Sequence, residues 1–201
     1  MKKFLLAAVF AILGMSASYA QTTGEIVAGI NLSDMSELDS KIGFHIGARG
    51  EIMLPSVCNG FYANGAALIT LKGAEKDYGR ELDFNCNAYY LEIPIHAGYK
   101  YVLDDDLAFF GEFGPYFSIG LFGKSKLATE DESIKVDTFS EDGGVKRFDF
   151  GLGFRLGTEI NKHFTASVGY DFGLVDVADD EYDESPSIKN SNLYVSFGYK
   201  F

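Results

Sequence analysis

The sequence predicts an all-β fold, an eight-stranded antiparallel up-and-down barrel that spans a membrane. Three observations support it: apolar and polar residues alternate along most of the chain, the alternating segments are long, and short and long connections follow one another in turn. Alternation with a period of two indicates β-strands, whose successive side chains point to opposite faces. About 9 to 11 tilted residues cross a bilayer, whereas strands in soluble proteins usually have about five or six.

The eight predicted strands are separated by connections of two kinds. Short turns are expected at residues 55–60, 103–106 and 161–162, and long loops at residues 33–41, 73–83, 123–146 and 176–191. In outer-membrane barrels the short turns are periplasmic and the long loops extracellular, so we expect both termini in the periplasm. The predicted strands cover residues 25–32, 42–54, 61–72, 89–101, 109–122, 148–160, 164–175 and 192–201.

The position of the charges distinguishes a membrane barrel from a soluble one. Charged residues make up 23% of the chain, yet the apolar rows of the eight predicted strands contain no Asp, Glu, Lys, Arg or His. A soluble barrel of the lipocalin type is apolar inside and carries its charges outside, where water tolerates them. A charge that faces lipid at mid-bilayer costs about 2 to 4 kcal/mol for Arg or Lys. The apolar rows are therefore expected to face lipid.

The opposite rows contain charges of both signs, many glycines and the bulky residues Tyr62, Tyr90, Tyr116, Phe122 and Tyr194. A buried charge needs a partner, and eight strands enclose an interior just wide enough for side chains. We therefore expect a plugged lumen and no large conductance. The candidate interior network comprises Arg49, Glu51, Glu92, Lys100, Glu112, Arg147, Asp149, Arg155, Glu159 and Asp171.

The first 20 residues have the pattern of a secretory signal peptide. Lys2 and Lys3 precede an apolar run, and small residues lead to Ala20, before Gln21. The apolar run is too short for a membrane-spanning helix, which needs about 20 residues. The expected mature protein is therefore one barrel domain, residues 21–201. The formal net charge of the chain, -12, is the wrong sign for a protein that binds nucleic acid.

Other potential sites have structural explanations. The glycine pattern at residues 151–157 lies within a predicted strand and opens no helix, so it does not indicate a dinucleotide site. His45 and His96 have no ligand cluster near them in sequence and are expected to be hydrogen-bonded inside the barrel. Cys58 and Cys86 are predicted at opposite ends of a hairpin, too far apart for a disulfide. No cofactor is predicted.

Two further possibilities concern calcium and lipid hydrolysis. The acidic residues of the last long loop fit no recognised calcium-binding spacing, so a solvated acidic loop is expected at Asp179, Asp180, Glu181, Asp183 and Glu184. A lipid hydrolase would need a nucleophile and a base near the lipid-facing surface. The predicted lipid-facing rows offer Thr158 and no histidine, so we expect no enzyme.

Four segments resemble the outer-membrane β-barrel family often labelled porin family or PorT-like. They are Tyr90-Leu-Glu-Ile-Pro94, Gly111-Glu-Phe-Gly-Pro-Tyr116, Arg147-Phe-Asp-Phe-Gly-Leu-Gly153 and the terminal Tyr199-Lys-Phe201. The resemblance implies an outer-membrane location and supplies no catalytic residues. It also implies that the barrel assembly machinery recognises the terminal aromatic residue, Phe201.

These observations favour a structural or surface-binding protein that acts through its long extracellular loops. Loops on a rigid scaffold are the usual place for recognition. The alternatives are a narrow channel for small solutes and an outer-membrane lipid hydrolase. The expected partners are outer-membrane lipid, the barrel assembly machinery and an unidentified extracellular ligand, with the barrel itself a monomer.

Overall fold

The computed structural model describes residues 22–35, 39–77, 83–128, 133–140, 145–177 and 189–201. The predicted signal segment, residues 1–20, lies outside these ranges, as do the acidic residues Asp179, Asp180, Glu181, Asp183 and Glu184. The strands are β1 (Thr22–Met35), β2 (Asp39–Met53), β3 (Phe61–Asp77), β4 (Asp83–Val102), β5 (Leu107–Ala128), β6 (Ser133–Asp137), β7 (Phe148–Ile160), β8 (Phe164–Gly173) and β9 (Asn190–Lys200).

Eight of these strands form a closed antiparallel barrel. The sheet runs in the order β4-β3-β2-β1-β9-β8-β7-β5-β6, and pairing between β4 and β5 closes it. Strand β6 pairs with the end of β5 and stands outside the closed ring. No helix in the described ranges has the length and apolar composition needed to cross a membrane. The predicted eight-stranded up-and-down barrel is confirmed.

The two faces of the barrel wall reverse the usual arrangement of a soluble protein. Large apolar side chains are exposed on the outside, among them Ile42 at 74% and Phe197 at 65%. Charged side chains are buried inside, including Glu25, Lys72 and Asp149. Lipid solvates an apolar outer face and leaves the backbone polar groups to pair within a closed sheet. The lipid-facing and interior rows therefore follow the predicted alternation.

On one side of the barrel the strands are longer than predicted. Strands β3 and β4 remain paired to Asp77 and Asp83, and β4 pairs with β5 up to Ala128. Strand β7 begins at Phe148, opposite Ile119, so the rest of β5 can pair with β6. Residues 73–77, 83–88, 123–128 and 133–137 thus form a four-stranded projecting sheet at the long-loop end. Much of the predicted loops 73–83 and 123–146 is therefore strand.

A β-bulge on β5 changes the face to which one predicted interior residue points. Tyr89 pairs with Phe122 while Tyr90 pairs with Gly120, which leaves Leu121 as an extra residue. A bulge of this kind reverses the alternation beyond it. Phe122 is consequently 57% exposed on the outer face and stacks on Tyr89, with ring centroids 4.6 Å apart. Its predicted interior position is wrong.

The short-turn end has a tight hairpin and a belt of aromatic residues. Asn161 and Lys162 have φ values of 52° and 63°, and the His163 amide donates to the Ile160 carbonyl at 3.2 Å. Two successive positive φ values match a type I′ turn, whose twist suits antiparallel strands. Seven aromatic residues lie at this end on the outer surface: Phe61, Tyr99, Tyr101, Phe109, Phe164, Tyr199 and Phe201.

Val168 provides a direct test of the lipid-facing row. It is 47% exposed in the middle of β8, between Leu156 on β7 and Val195 on β9. Val168→Arg should lower the free energy of unfolding by about 2 to 4 kcal/mol, because the guanidinium would face lipid. The matched control Val168→Leu should change it by less than about 1.5 kcal/mol. Urea titration in phospholipid vesicles measures both; equal stabilities would contradict the assignment of this face.

Candidate functional site in the barrel interior

Four charged residues form a closed ring of ion pairs at the short-turn end of the interior. The Lys100 ammonium lies 2.6 Å from the Glu51 carboxylate and 2.9 Å from that of Glu159. The Lys200 ammonium lies 2.7 Å from each of the same two carboxylates. The members come from β2, β4, β7 and β9, alternate strands of the barrel. This short-turn ring therefore spans the bore and links strands that are not neighbours.

A central cluster lies further along the bore. Arg155 donates to Glu112 at 2.7 Å, and the Tyr62 hydroxyl donates to the same carboxylate oxygen at 2.7 Å. The imidazole Nδ1 of His96 lies 3.7 Å from the other Glu112 oxygen. Glu112 and Arg155 face each other on β5 and β7, while Tyr62 reaches across from β3. Glu112, on β5, thus contacts side chains of three other strands, β3, β4 and β7, through one carboxylate.

A second ion pair belongs to the same level. Arg49 donates to Glu25 at 3.1 Å, and Thr165 donates to the other Glu25 oxygen. Arg49 and Glu25 are direct partners on β2 and β1, and Thr165 lies on β8. All three side chains are buried. The pair is therefore hydrogen-bonded from both sides, which a buried ion pair requires if it is not to be destabilising.

Lys72 is the centre of the level nearest the long-loop end. Its ammonium lies 2.6 Å from the Glu92 carboxylate and 3.8 Å from that of Asp149, across the bore on β7. The same ammonium lies 4.8 Å from the centre of the Tyr116 ring. Asp149 also accepts from the Asn190 amide at 3.0 Å. One cation thus stabilises two buried carboxylates at this level.

Apolar residues cover these charges at the long-loop end. The Phe139 ring packs edge-on against Tyr90 with centroids 5.4 Å apart, and Val145 packs against the same cluster. Val177 is buried, and its carbonyl accepts from the Lys146 amide at 2.8 Å. Phe139 and Val145 precede β7, and Val177 follows β8, so these three residues lie outside the barrel strands. They form an apolar cap over the interior.

Glycine makes room for the large interior side chains. A Cβ atom at Gly98 would lie 2.5 Å from the Tyr62 ring and 2.9 Å from the Glu112 side chain. A Cβ at Gly169 would overlap the Tyr194 ring. A cavity beside His45 and Glu92 measures about 10 Å³, room for about one water molecule. The interior is therefore packed with side chains along this stretch.

Eight of the ten predicted network residues are buried inside the barrel: Arg49, Glu51, Glu92, Glu112, Asp149, Arg155, Glu159 and Asp171. A ninth, Lys100, is partly buried there, with its side chain 10% exposed. Asp171 accepts a hydrogen bond from the Asn192 amide at 3.2 Å. Lys72 was missing from the prediction, although its even number places it on the interior row of β3. Lys72 is the last residue of the predicted strand 61–72, so no later residue of the alternating pattern supports an interior position for it.

Arg147 is the exception, and its predicted place in the interior network is wrong. It is exposed and precedes β7 rather than belonging to it. Its guanidinium donates to the Gly120 and Leu121 carbonyls at 3.1 and 3.3 Å and lies over the Phe139 ring. The bulge leaves backbone carbonyls without strand partners, so a long cationic side chain is well suited to this position.

The histidines, the cysteines and the terminal aromatic residue considered in the sequence have ordinary structural contacts. His45 is hydrogen-bonded to the Ser196 hydroxyl at 2.7 Å. Cys58 is an exposed thiol in the β2–β3 turn, and Cys86 is a buried thiol on β4. Within the described ranges no three His, Cys, Asp or Glu side chains are arranged to bind a metal ion. Phe201 pairs with Gly24 through the backbone, and its role in assembly stays a prediction.

Glu112 provides a test of the ion-pair network. Replacing one member of a buried pair leaves the other charge without a partner, at a cost of about 3 to 5 kcal/mol. Glu112→Gln should lower the free energy of unfolding by that amount, since Arg155 would lose its carboxylate. Glu75→Gln, an exposed control on β3, should change it by less than about 1 kcal/mol. Equal small losses in urea titrations would contradict a stabilising network.

Comparison with known proteins agrees with this architecture. The family model described as outer membrane protein beta-barrel domain matches residues 12–179. No curated protein is significantly similar in sequence. Among solved structures, a major outer membrane protein from Thermus thermophilus is similar with a TM-score of 0.50 and 12% identity, over 90% of this chain and 99% of that one.

Two other solved structures are similar over nearly the same part of the chain. Ail, the attachment invasion locus protein of Yersinia pestis, has a TM-score of 0.43 and 14% identity, over 90% of this chain and 98% of that one. The outer membrane enzyme PagL has a TM-score of 0.41 and 10% identity, over 88% and 98%. At 12% identity, the similarity to the Thermus thermophilus protein shows the fold alone. The matched family model covers most of the barrel, and the chain belongs to the outer membrane protein beta-barrel domain family.

Proposed function

We propose that this protein is a non-conducting outer-membrane barrel that presents its projecting sheet at the cell surface for binding. The observation that carries the proposal is the extension of β3–β6 beyond the closed barrel. The termini and the short turns lie in the periplasm in this proposal, and the projecting sheet lies outside the cell. A rigid β-sheet above a membrane anchor is a stable surface for recognition, since its backbone needs no ordering on binding.

The interior arrangement supports the absence of conductance. An ion that crossed the barrel would have to pass the apolar cap, the level of Lys72, the central cluster and the short-turn ring. Each of the three charged levels has buried ion pairs, and opening such a pair costs several kcal/mol. Eight strands also enclose far less space than the roughly 16 to 18 strands typical of aqueous pores. Because these barriers oppose conduction, a narrow channel for small solutes ranks below the binding role, as the second candidate function.

The edge strand β6 supports the binding role. In the described ranges β6 pairs with β5 and has no strand on its other side. Unpaired edges invite pairing with other chains, and charged side chains on a short edge strand limit unwanted association. Lys135 and Asp137 supply such charges on β6, where both are exposed. Recognition by this sheet is thus expected to use side chains as well as the free backbone edge.

The positions of the histidines disfavour a lipid hydrolase. The chain has three histidines, and His45 and His96 are buried inside the barrel. His163 lies in the β7–β8 turn, hydrogen-bonded through Nδ1 to the Lys200 backbone carbonyl at 3.0 Å. The Thr158 hydroxyl on the outer surface donates to the Ala108 carbonyl at 3.1 Å. Neither group is paired as a nucleophile with its base.

Planar bilayer recording tests the non-conducting interior. The purified full chain should show no stable, large conductance and at most rare small openings. Replacing all four ring members by Gln (Glu51→Gln, Lys100→Gln, Glu159→Gln and Lys200→Gln) removes the short-turn ring without leaving an unpaired charge. This variant should also stay closed, because the other two charged levels and the cap remain. Reproducible porin-sized steps from the unaltered protein would overturn the proposal and favour the channel.

Surface labelling of intact cells tests the orientation. A short epitope inserted between Ala128 and Ser133, in the β5–β6 connection, should bind antibody on intact cells. The same epitope inserted at Asp105, in the β4–β5 turn, should bind antibody after the outer membrane is permeabilised and not before. Labelling of the Asp105 insertion on intact cells would reverse the proposed orientation.

A further inference from the structure

Three lysines occupy one face of the projecting sheet close to the barrel. Lys124 and Lys126 lie on β5 and Lys135 lies on β6, and all three side chains are exposed. Lys126 and Lys135 are direct cross-strand partners, while Lys124 faces Asp137. Residues that face each other in an antiparallel pair lie on the same side of the sheet. We call Lys124, Lys126 and Lys135 the lysine patch.

The lysine patch continues the lipid-facing surface of the barrel. Phe122 lies on the outer face of β5, and alternation places Lys124 and Lys126 on that same face. The residues between them, Gly123 and Ser125, are buried on the other face, where Ser125 contacts Cys86 and Thr138. The patch therefore faces the surroundings of the barrel rather than the space above the interior.

A row of aromatic rings lies directly beside the patch on the outer face of the barrel. Phe44 contacts Tyr89 with centroids 6.4 Å apart, and Tyr89 stacks on Phe122 at 4.6 Å. Aromatic belts of this kind mark the membrane–water interface. Lys124 is two residues beyond Phe122, about 7 Å along the strand. Flexible lysine side chains at this height reach the layer of lipid headgroups.

The charges of the patch lack protein partners in the part of the chain that is described. No ion pair among the described residues includes Lys124, Lys126 or Lys135. Like charges directly opposite each other, as at Lys126 and Lys135, destabilise a strand pair. The whole chain is strongly acidic, with a net charge of -12, which makes this group of cations distinctive. An anion between the two ammonium groups would relieve their repulsion.

A fourth lysine extends the same surface across the sheet. The Lys41 side chain crosses Gly73, where an added Cβ would lie 3.0 Å from the lysine chain. Its ammonium donates to the Asn85 side chain at 2.5 Å and to the Cys86 carbonyl at 3.3 Å. Lys41 is thus held by the protein near the outer aromatic row. The exposed lysine patch remains the part that can bind a ligand from outside.

We infer that the lysine patch binds the phosphate groups of anionic lipid in the outer leaflet of the membrane. The aromatic row anchors the acyl-chain boundary, and the ammonium groups lie just beyond it, where lipid phosphates are. Basic residues close to an anionic membrane surface each strengthen binding by about fivefold. This inference adds lipid binding to the surface display that we propose for the projecting sheet. That the bound lipid lies in the outer leaflet rests on the orientation proposed above.

Retention of the phosphorylated glycolipid lipid A tests this inference. The full chain is placed in phosphatidylcholine nanodiscs that contain a small fraction of lipid A, extracted into mild detergent and analysed for bound lipid by native mass spectrometry. Lys126→Gln with Lys135→Gln should retain roughly 25-fold less lipid A than the unaltered protein, at about fivefold for each lysine. Lys126→Arg with Lys135→Arg, which preserves both charges, should retain nearly as much as the unaltered protein.

The controls separate lipid binding from folding and from orientation. Lys162→Gln, at the short-turn end, should retain lipid A like the unaltered protein, and dephosphorylated lipid A should show no dependence on the patch. Both leaflets of a nanodisc contain lipid A, so the result does not depend on the proposed orientation. Equal retention by the Gln and Arg pairs, with both proteins folded, would overturn the inference. So would an equal loss of dephosphorylated lipid A in the Gln variant.

Discussion

A charged side chain in this barrel has lipid on one side of its strand and a closed interior on the other, and neither offers bulk water. The cost of facing lipid excludes charges from the outer rows, so each charge of the transmembrane part must point inward. There it is buried and needs an opposite charge or a set of hydrogen-bond donors. The pairing of Lys72, Arg155 and Lys200 with interior carboxylates is the solution that this sequence adopts.

Pairing across the bore also affects how the barrel holds together. Backbone hydrogen bonds join each strand to its two neighbours, whereas the short-turn ring joins four alternate strands. The Tyr62–Glu112–Arg155 contacts likewise pass over β4. Such links make the loss of one strand costly for several others, which favours cooperative folding. Space for them comes from interior glycines such as Gly98, beside which the Tyr62 ring lies.

The period of two was sufficient to predict the eight strands and the face of almost every residue, because a closed barrel in lipid leaves each face a distinct environment. Local irregularities could not be predicted from this period. The extra residue Leu121 reverses the alternation and places Phe122 outside, and nothing in the sequence distinguishes it from its neighbours. Strand β6 has five residues, too short for a clear pattern inside a long loop. Arg147 lies one residue before its strand, where backbone carbonyls replace carboxylates as partners.

The specific ion pairs were also beyond prediction from sequence. Which residues meet across the bore depends on the stagger of the strands around the barrel, which no single strand specifies. Alternation places Glu51, Lys100, Glu159 and Lys200 inside, yet the closed ring they form follows from the register of all eight strands. Function is still less accessible, since the projecting sheet occupies segments that the sequence presents as loops.

Charge inversion of the short-turn ring tests the central claim, that mutual pairing rather than the individual charges stabilises the interior. Lys200→Glu alone should prevent folding, because three carboxylates would then share one ammonium group. Inverting all four members, with Glu51→Lys, Lys100→Glu, Glu159→Lys and Lys200→Glu, restores alternation and should restore a folded barrel, measured by the heat-sensitive mobility of the membrane protein on gels. Failure of the fourfold inversion to fold any better than Lys200→Glu would contradict the account.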